Sequence, residues 1–260
     1  MIKYQYGGER MVKIAVTNQK GGVGKTTITF HLLHLFANDG KKVIAVDTDP
    51  QGNLTSCFLD EIPSESNIKR IFEDTIPKSI NVAQNIDLIG SNISLSKYEA
   101  DAKFANFFRL RELLESSSIK DTYDVAIIDT PPSLGLFTSN ALISSNYVII
   151  PLDTSKFALL GLEDLMDSVE KVRKSTGSTI KVLGILFSMT QERLVYYKRL
   201  REELEKKYKD YLFTVNIPQT VLLKEAISSK RPIFEIYPEH KASVAFKELY
   251  EEIKSRMKNA

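Results

Sequence analysis

The chain has 260 residues, 43% hydrophobic and 26% charged, which supplies enough apolar material for one domain with a full core. Lys plus Arg exceed Asp plus Glu by only 35 to 33, so no global field draws it to nucleic acid and any basic surface has to be local. The single cysteine, Cys57, excludes an intrachain disulfide framework and a CxxC metal site, and no apolar run reaches the roughly 18 residues that span a bilayer.

Residues 1–10 (MIKYQYGGER) lack the apolar region of a secretory signal, so a cytoplasmic chain is expected; they read as a poorly ordered extension or a mis-assigned start ahead of Met11. Val12 to Thr17 (VKIAVT) is a β-branched run of the kind a buried strand needs. Thr26 to Asn38 (TTITFHLLHLFAN) reads as a helix, with Gly40 as its stop. Between them lies Asn18 to Thr27, NQKGGVGKTT, so its glycines occupy a strand-to-helix turn. Gly21, Gly22 and Gly24, with Val23 between them, let the backbone approach phosphate oxygens closely and present N–H groups to them. The helix start favours the same negative charge. In such a loop Lys25 reaches the β- and γ-phosphates and the Thr26 hydroxyl binds Mg²⁺. The usual first glycine of the pattern is replaced by Gln19, and Lys20 is an additional lysine. His31 and His34 on the helix lack a nearby third metal ligand and read as ordinary helix residues.

Val43 to Val46 is a second buried strand, and it ends in Asp47-Thr48-Asp49-Pro50-Gln51-Gly52-Asn53. Two carboxylates at a strand's carboxyl end lie where open α/β sheets bind ligands, although a plain turn also favours these residue types. Ser66 is placed as the cap of a short helix through Phe72, and Ile86 to Ile89 reads as a strand. Leu95 to Leu114 reads as one long helix whose Phe104, Phe107, Phe108, Leu110 and Leu114 belong to the core. Val125 to Ile128 is a third strong strand. Asp129 follows it in the Walker B arrangement, where the carboxylate holds Mg²⁺ directly or through water. The loop from Thr130 through Gly135 is positioned to sense a γ-phosphate.

Strands are then expected at Tyr147 to Leu152, Ile180 to Phe187 and Tyr211 to Ile217. Helices are expected over about Leu159 to Lys174, Glu192 to Lys209 and Lys241 to Lys258. This alternation predicts an α/β chain: a single domain over residues 11–260, with a mostly parallel twisted sheet and helices on both faces.

The segments NQKGGVGKTT, VDTDPQGNLT, VAIIDTPPSLG, FALLGLEDL and IPQTVLLKEA, in that order, resemble the deviant Walker A P-loop ATPases, and within them the ParA/Soj partition ATPases. Gln19 is similar to ParA rather than MinD, whose loop usually starts with Gly. The resemblance implies an ATPase that uses ATP and Mg²⁺ and forms an ATP-dependent homodimer. Lys20 matches the signature lysine that crosses the dimer interface to the partner's nucleotide. Lys25 and Thr26 match the phosphate lysine and the Mg²⁺ ligand, and Thr27 contacts the α-phosphate. Asp49 matches the aspartate that orients the attacking water. Asp47 stands in a metal and loop-positioning role, and Asp129 matches Walker B. Met189 and Asn216 to Thr220, including Pro218 and Gln219, resemble the adenine-contacting region.

The resemblance further implies non-specific DNA binding by the dimer and a ParB-type centromere-binding partner that stimulates hydrolysis. Arg193 matches one family DNA-binding arginine, but the family's I-P-R-x-x-R pattern reads Ile217-Pro218-Gln219-Thr220-Val221-Leu222, so two arginines are missing. Lys198, Arg199, Lys206, Lys207, Lys224, Lys230 and Arg231 are candidates to replace them; a solvated mixed-charge surface is the plain alternative. A MinD-like ATPase acting at the membrane is the second functional expectation. It requires an amphipathic C-terminal membrane helix, whereas Phe246, Leu249, Ile253 and Met257 form a thin stripe of the core-docked kind, so no membrane contact is expected. A nitrogenase-type iron protein needs two cluster cysteines per chain and is excluded; a small-molecule ligase on the same scaffold has no substrate motif in its favour.

Overall fold

The computed structural model describes residues 11–101, 103–155, 158–190 and 195–259; the expected N-terminal extension lies outside them. In chain order the first half comprises β1 (Val12–Val16), α1 (Lys25–Asn38), β2 (Val43–Asp47), α2 (Asn53–Ser56), β3 (Ile80–Ala83), β4 (Ile86–Ile89), α3 (Arg109–Glu115) and α4 (Ser117–Lys120). Then follow β5 (Val125–Asp129), α5 (Leu136–Ser144), β6 (Tyr147–Leu152), α6 (Ala158–Thr176), β7 (Lys181–Thr190) and α7 (Val195–Tyr208). The chain closes with β8 (Ile217–Pro218), α8 (Val221–Ser228), α9 (Ile233–Ile236) and α10 (Lys241–Asn259).

β1, β2 and β5 are buried at every residue, as strands covered on both faces must be. The sheet order is β3-β4-β2-β5-β1-β6-β7-β8, and every pairing is parallel except β3 with β4. Side chains alternate between the two cores: Val12, Ile14 and Val16 face α1, α8, α9 and α10, while Ala15 faces α3 to α7. From β1 the chain passes to β2 on one side, and from β5 it crosses to β6 on the other. The crevice between these directions opens at the carboxyl ends of β1 and β5. α10 is docked as its stripe predicts. Phe246, Leu249 and Ile253 are fully buried against α1 and the sheet, each contributing roughly 1.5–3 kcal/mol, so this stripe belongs to the core. No helix among the described residues is long and apolar enough to cross a membrane.

Three expected elements differ. The stretch from Leu95 to Leu114 is not one helix: 3-10 turns at Ile93–Tyr98 and Phe104–Phe108 precede α3. Asn140 of α5 causes the break beside α3, because its amide donates to the Asn106 carbonyl at 2.8 Å and its carbonyl accepts from Leu110 N–H at 3.0 Å. Those two backbone groups are the i, i+4 pair that a continuous helix would join. Phe104 is consequently 79% exposed rather than in the core, and Phe107 and Phe108 are half-buried. Tyr211 to Ile217 is not a continuous strand either. Leu212 bridges Ile185, and only Ile217 and Pro218 pair with β7, because Thr214 N–H and Oγ–H donate instead to Glu252 of α10. Near Ser66 the helical turn is 3-10, and Asn67 caps it by accepting from Lys69 N–H at 2.9 Å.

Candidate nucleotide and cation site

The loop after β1 is fastened to β6 by Asn18, whose amide donates to the Pro151 carbonyl and whose carbonyl accepts from Lys20 N–H at 2.9 Å. Gly22 and Gly24 take φ of 76° and 89°, a left-handed conformation that side chains resist. Gly24 precedes α1, a fourteen-residue helix whose first turn has neither a side-chain cap nor an acidic residue. Its free N–H groups and dipole are therefore left for an external anion. Lys25 is buried and its Nζ donates to the Lys20 carbonyl at 3.0 Å. Burial lowers its pKa, opposed by the carboxylates of Asp129 and Asp49.

The carboxylates line up by sheet register. Asp47 and Asp129 are partners on β2 and β5, and Asp129 is also the partner of Val16 on β1. The Thr26 hydroxyl donates to Asp129 Oδ2 at 2.6 Å, so α1 delivers one expected cation ligand directly onto the other. Burial, then the nearby Asp47, push the Asp129 carboxyl well above the ordinary range. Asp47 is fully buried too, and burial raises it against the hydrogen bonds that favour its charge. Its Oδ1 accepts from Asp49 N–H at 3.0 Å, and its Oδ2 accepts from Thr55 N–H and Oγ–H, both at 2.8 Å. Asp47 thus holds the loop that carries Asp49 on α2. Asp49 is also buried, with Oδ1 accepting from Gln51 N–H at 2.9 Å. Gly52 has φ of 63°, and a Cβ there would stand 2.8 Å from the Ser91 carbonyl.

Burying Asp47, Asp49 and Asp129 around one lysine disfavours the charged forms of Asp47 and Asp129, and a divalent cation beside them would favour those forms again. Among the described residues no three His, Cys, Asp or Glu side chains converge as a metal cage. That fits Mg²⁺, which takes few protein ligands and completes its octahedron with phosphates and water. Thr26 and Asp129 suit it.

Lys20 stands half-exposed above the loop, and its ammonium is ion-paired with Asp153 beyond β6. Asp153 Oδ1 also accepts from Ser155 Oγ–H at 2.9 Å. Among the residues expected near a base, Gln219 N–H donates to the Thr190 carbonyl at 3.0 Å, which docks the Pro218–Thr220 segment on the end of β7. Thr220 Oγ1 caps α8 by accepting from Leu222 N–H at 3.3 Å. The Asn216 amide is engaged with Tyr197 at 2.7 Å and Arg201 at 3.3 Å. Met189, half-exposed, has an unusual φ of 53°. Of the basic residues, Arg193 lies outside the described residues. Lys198 and Arg199 are exposed on α7 and Lys224 on α8, helices that pack on opposite faces of the sheet. Lys230 pairs with Asp60 at 2.7 Å and Arg231 with Glu235 at 3.5 Å.

His31 is structural: its Nδ1–H donates to the Thr27 carbonyl at 2.7 Å, and Nε2 accepts from Ile233 N–H at 3.1 Å. The parts played by Thr55, Asn18 and Asp153 escape a reading of the sequence: Asn18 and Thr55 close the ends of two motifs and Asp153 lies in none, but each acts through a contact that only the fold supplies.

Glycine loop, uncapped helix, buried lysine and Thr–Asp pair, set on this sheet order, define a P-loop nucleotide-binding protein. The family model described as AAA domain matches residues 11–182. The chain is 35% identical over 253 residues to the sporulation initiation inhibitor protein Soj of Bacillus subtilis, covering 92% of this chain and 97% of that one. It resembles the structure of a putative plasmid partition protein from Borrelia burgdorferi bound to AMPPNP, with TM-score 0.78, 28% identity, and 95% and 98% of the two chains covered. It also resembles cobyrinic acid a,c-diamide synthase from Mycobacterium smegmatis with bound ATP analogue and magnesium, with TM-score 0.77, 26% identity, and 93% of each chain covered. The chain belongs to the deviant Walker A P-loop ATPases of the ParA/Soj/MinD superfamily. It is an ATPase, with ATP and Mg²⁺ as its nucleotide and cation.

Proposed function

We propose that this ATPase partitions DNA in the cytoplasm. ATP with Mg²⁺ joins two copies in a sandwich dimer, the dimer binds DNA without sequence preference, and a ParB-type centromere-binding partner stimulates hydrolysis to release it. The observation that carries this reading is Lys20, whose half-exposed side chain at the mouth of the phosphate loop is held by an ion pair to Asp153. Such a lysine can exchange Asp153 for a phosphate held by a second copy, which makes the triphosphate part of the interface.

The reading assigns the following roles within one subunit. Lys25 neutralises the β- and γ-phosphates, and Gly21, Gly22, Val23 and Gly24 supply backbone N–H groups. Thr27 contacts the α-phosphate. Thr26 and Asp129 hold the cation, which draws charge off the phosphate oxygens, while Asp47 fixes the loop on which Asp49 orients the attacking water. Met189, Asn216, Pro218, Gln219 and Thr220 border the base. Lys198, Arg199, Lys224, Lys230 and Arg231, together with Arg193, supply phosphate-backbone contacts to DNA. Because each subunit offers only a modest basic excess, doubling it in a dimer makes ATP the gate of binding.

Lys20→Gln tests the reading. The variant is expected to bind ATP but to sediment as a monomer and to lose turnover. Wild-type protein is expected to shift DNA at low salt with ATP and not with ADP. A Lys20→Gln protein that dimerises and hydrolyses like wild type would sink the proposal.

A further inference from the structure

Two consecutive residues at the carboxyl end of β7 reach the same glycine of the phosphate loop. Ser188 is fully buried, and its Oγ–H donates to the Val23 carbonyl at 2.7 Å. A Cβ on Gly24 would stand 2.7 Å from Ser188 Oγ and 3.1 Å from Met189 Cε. Neighbouring side chains of a regular strand point to opposite faces, so an undistorted β7 could not do this. The register with β8 shifts between Ser188 and Thr190, and Met189 between them adopts a φ of 53°. Left-handed backbone at a residue with a long side chain is unfavourable and persists only where its surroundings enforce it. Here the distortion turns both side chains onto Gly24.

The consequence for the loop follows from peptide geometry. The bond between Val23 and Gly24 is a planar trans unit, so Gly24 N–H points opposite to the Val23 carbonyl. Anchoring that carbonyl on Ser188, behind the loop, aims Gly24 N–H at the phosphate side. Met189 backs the same glycine and blocks the loop from retreating.

We infer that Ser188 is a positioning residue for ATP hydrolysis, which, with Met189 as a wedge, presets the Gly24 N–H for the charge that develops on the transferring phosphoryl group. Donors fixed before the reaction stabilise that charge without reorganisation, so their loss falls on turnover more than on nucleotide binding, which the other loop amides and Lys25 sustain. The strand end that carries the clamp also carries Thr190, whose carbonyl accepts from Gln219 N–H and whose hydroxyl donates to the Ile217 carbonyl. The loop and the base-side segment therefore share one anchor.

The test compares Ser188→Ala with Ser188→Thr, which keeps the hydroxyl. Steady-state ATPase assays with Mg²⁺ are expected to show kcat about tenfold lower in Ser188→Ala, with KM changed less than about threefold, and kcat largely restored in Ser188→Thr. ADP affinity by calorimetry is expected to stay within the same threefold. An unchanged kcat in Ser188→Ala, a loss confined to KM, or equal loss in both variants would overturn the inference. If Ser188→Ala fails to fold, Met189→Gly serves instead, since glycine accepts the observed φ. A selective fall in kcat supports the wedge, and wild-type kinetics overturn it.

Discussion

At the scale of single residues, the pair Lys20–Asp153 and the carboxylate Asp49 make opposite predictions for the same dimer. Asp49 sits on a loop that Asp47 anchors through Asp49 N–H and Thr55, so Asp49→Ala removes the carboxylate proposed to orient water, and its bond from Gln51 N–H, while leaving the Asp47 anchor in place. The variant is expected to accumulate as an ATP-bound dimer in sedimentation, with hydrolysis near background; full hydrolysis would remove the assigned role. In the proposed dimer Asp153 instead competes with the second copy for Lys20. Lys20 is 45% exposed on its side chain, so solvent screens the ion pair and its worth is at most about 1 kcal/mol. Asp153→Asn is therefore expected to lower the ATP concentration at half-maximal dimerisation by about two- to fivefold. Light scattering over an ATP titration reads this, and an unchanged or raised midpoint would show that Asp153 does not restrain the lysine.

At the scale of elements, what the sequence discloses is what local pattern determines. β1, β2, β4, β5 and β6 stand where their apolar runs place them, because a strand buried on both faces needs no partner to be recognised. The phosphate loop is legible for the same reason: its glycines, lysine and threonines are contiguous, and the flanking strand and helix confirm them. The features that stay hidden depend on contacts distant in sequence. Ser188 meets Val23 from 165 positions away, and Lys20 meets Asp153 from 133. The apolar spacing before α3 suggests a helix from Leu95 onward, but Asn140, 30 residues beyond Leu110, captures the two backbone groups that would have joined it. Asn140→Leu leaves the Asn106 carbonyl and Leu110 N–H without their partner inside the core, at a cost of about 2–4 kcal/mol. Urea denaturation is expected to show that loss, and amide exchange at Leu110 to accelerate. A variant as stable as wild type would mean that the turn rejoins as a helix without help.

At the scale of the whole molecule, the histidines of α1 set how stability responds to acid. α1 is the helix around which one core is built: His31 stacks on Phe246 at 4.3 Å and supports α9 through Ile233, while His34 packs on Phe30 and Phe58. Burial pushes both imidazoles down to about 4. In the unfolded chain they titrate near 6.5. Above pH 6.5 both states hold them neutral, and their contribution to stability is complete. As pH falls toward 4 the unfolded chain takes up protons that the folded chain refuses, and stability is lost. At pH 5 the loss is roughly 2 kcal/mol for each histidine, by the same linkage. Asp47 and Asp129 act in the other direction, since their raised carboxyls take up protons in the folded state as pH falls. Comparison of wild type with His34→Gln separates the two contributions. Among the described residues His34 Nε2 has no hydrogen-bond partner, so the substitution breaks no bond there, and glutamine does not titrate. Chemical denaturation is expected to show the gap between the two proteins shifting in the variant's favour by roughly 2 kcal/mol between pH 7.5 and 5. A gap that does not change with pH would mean that His34 takes up its proton without leaving the core.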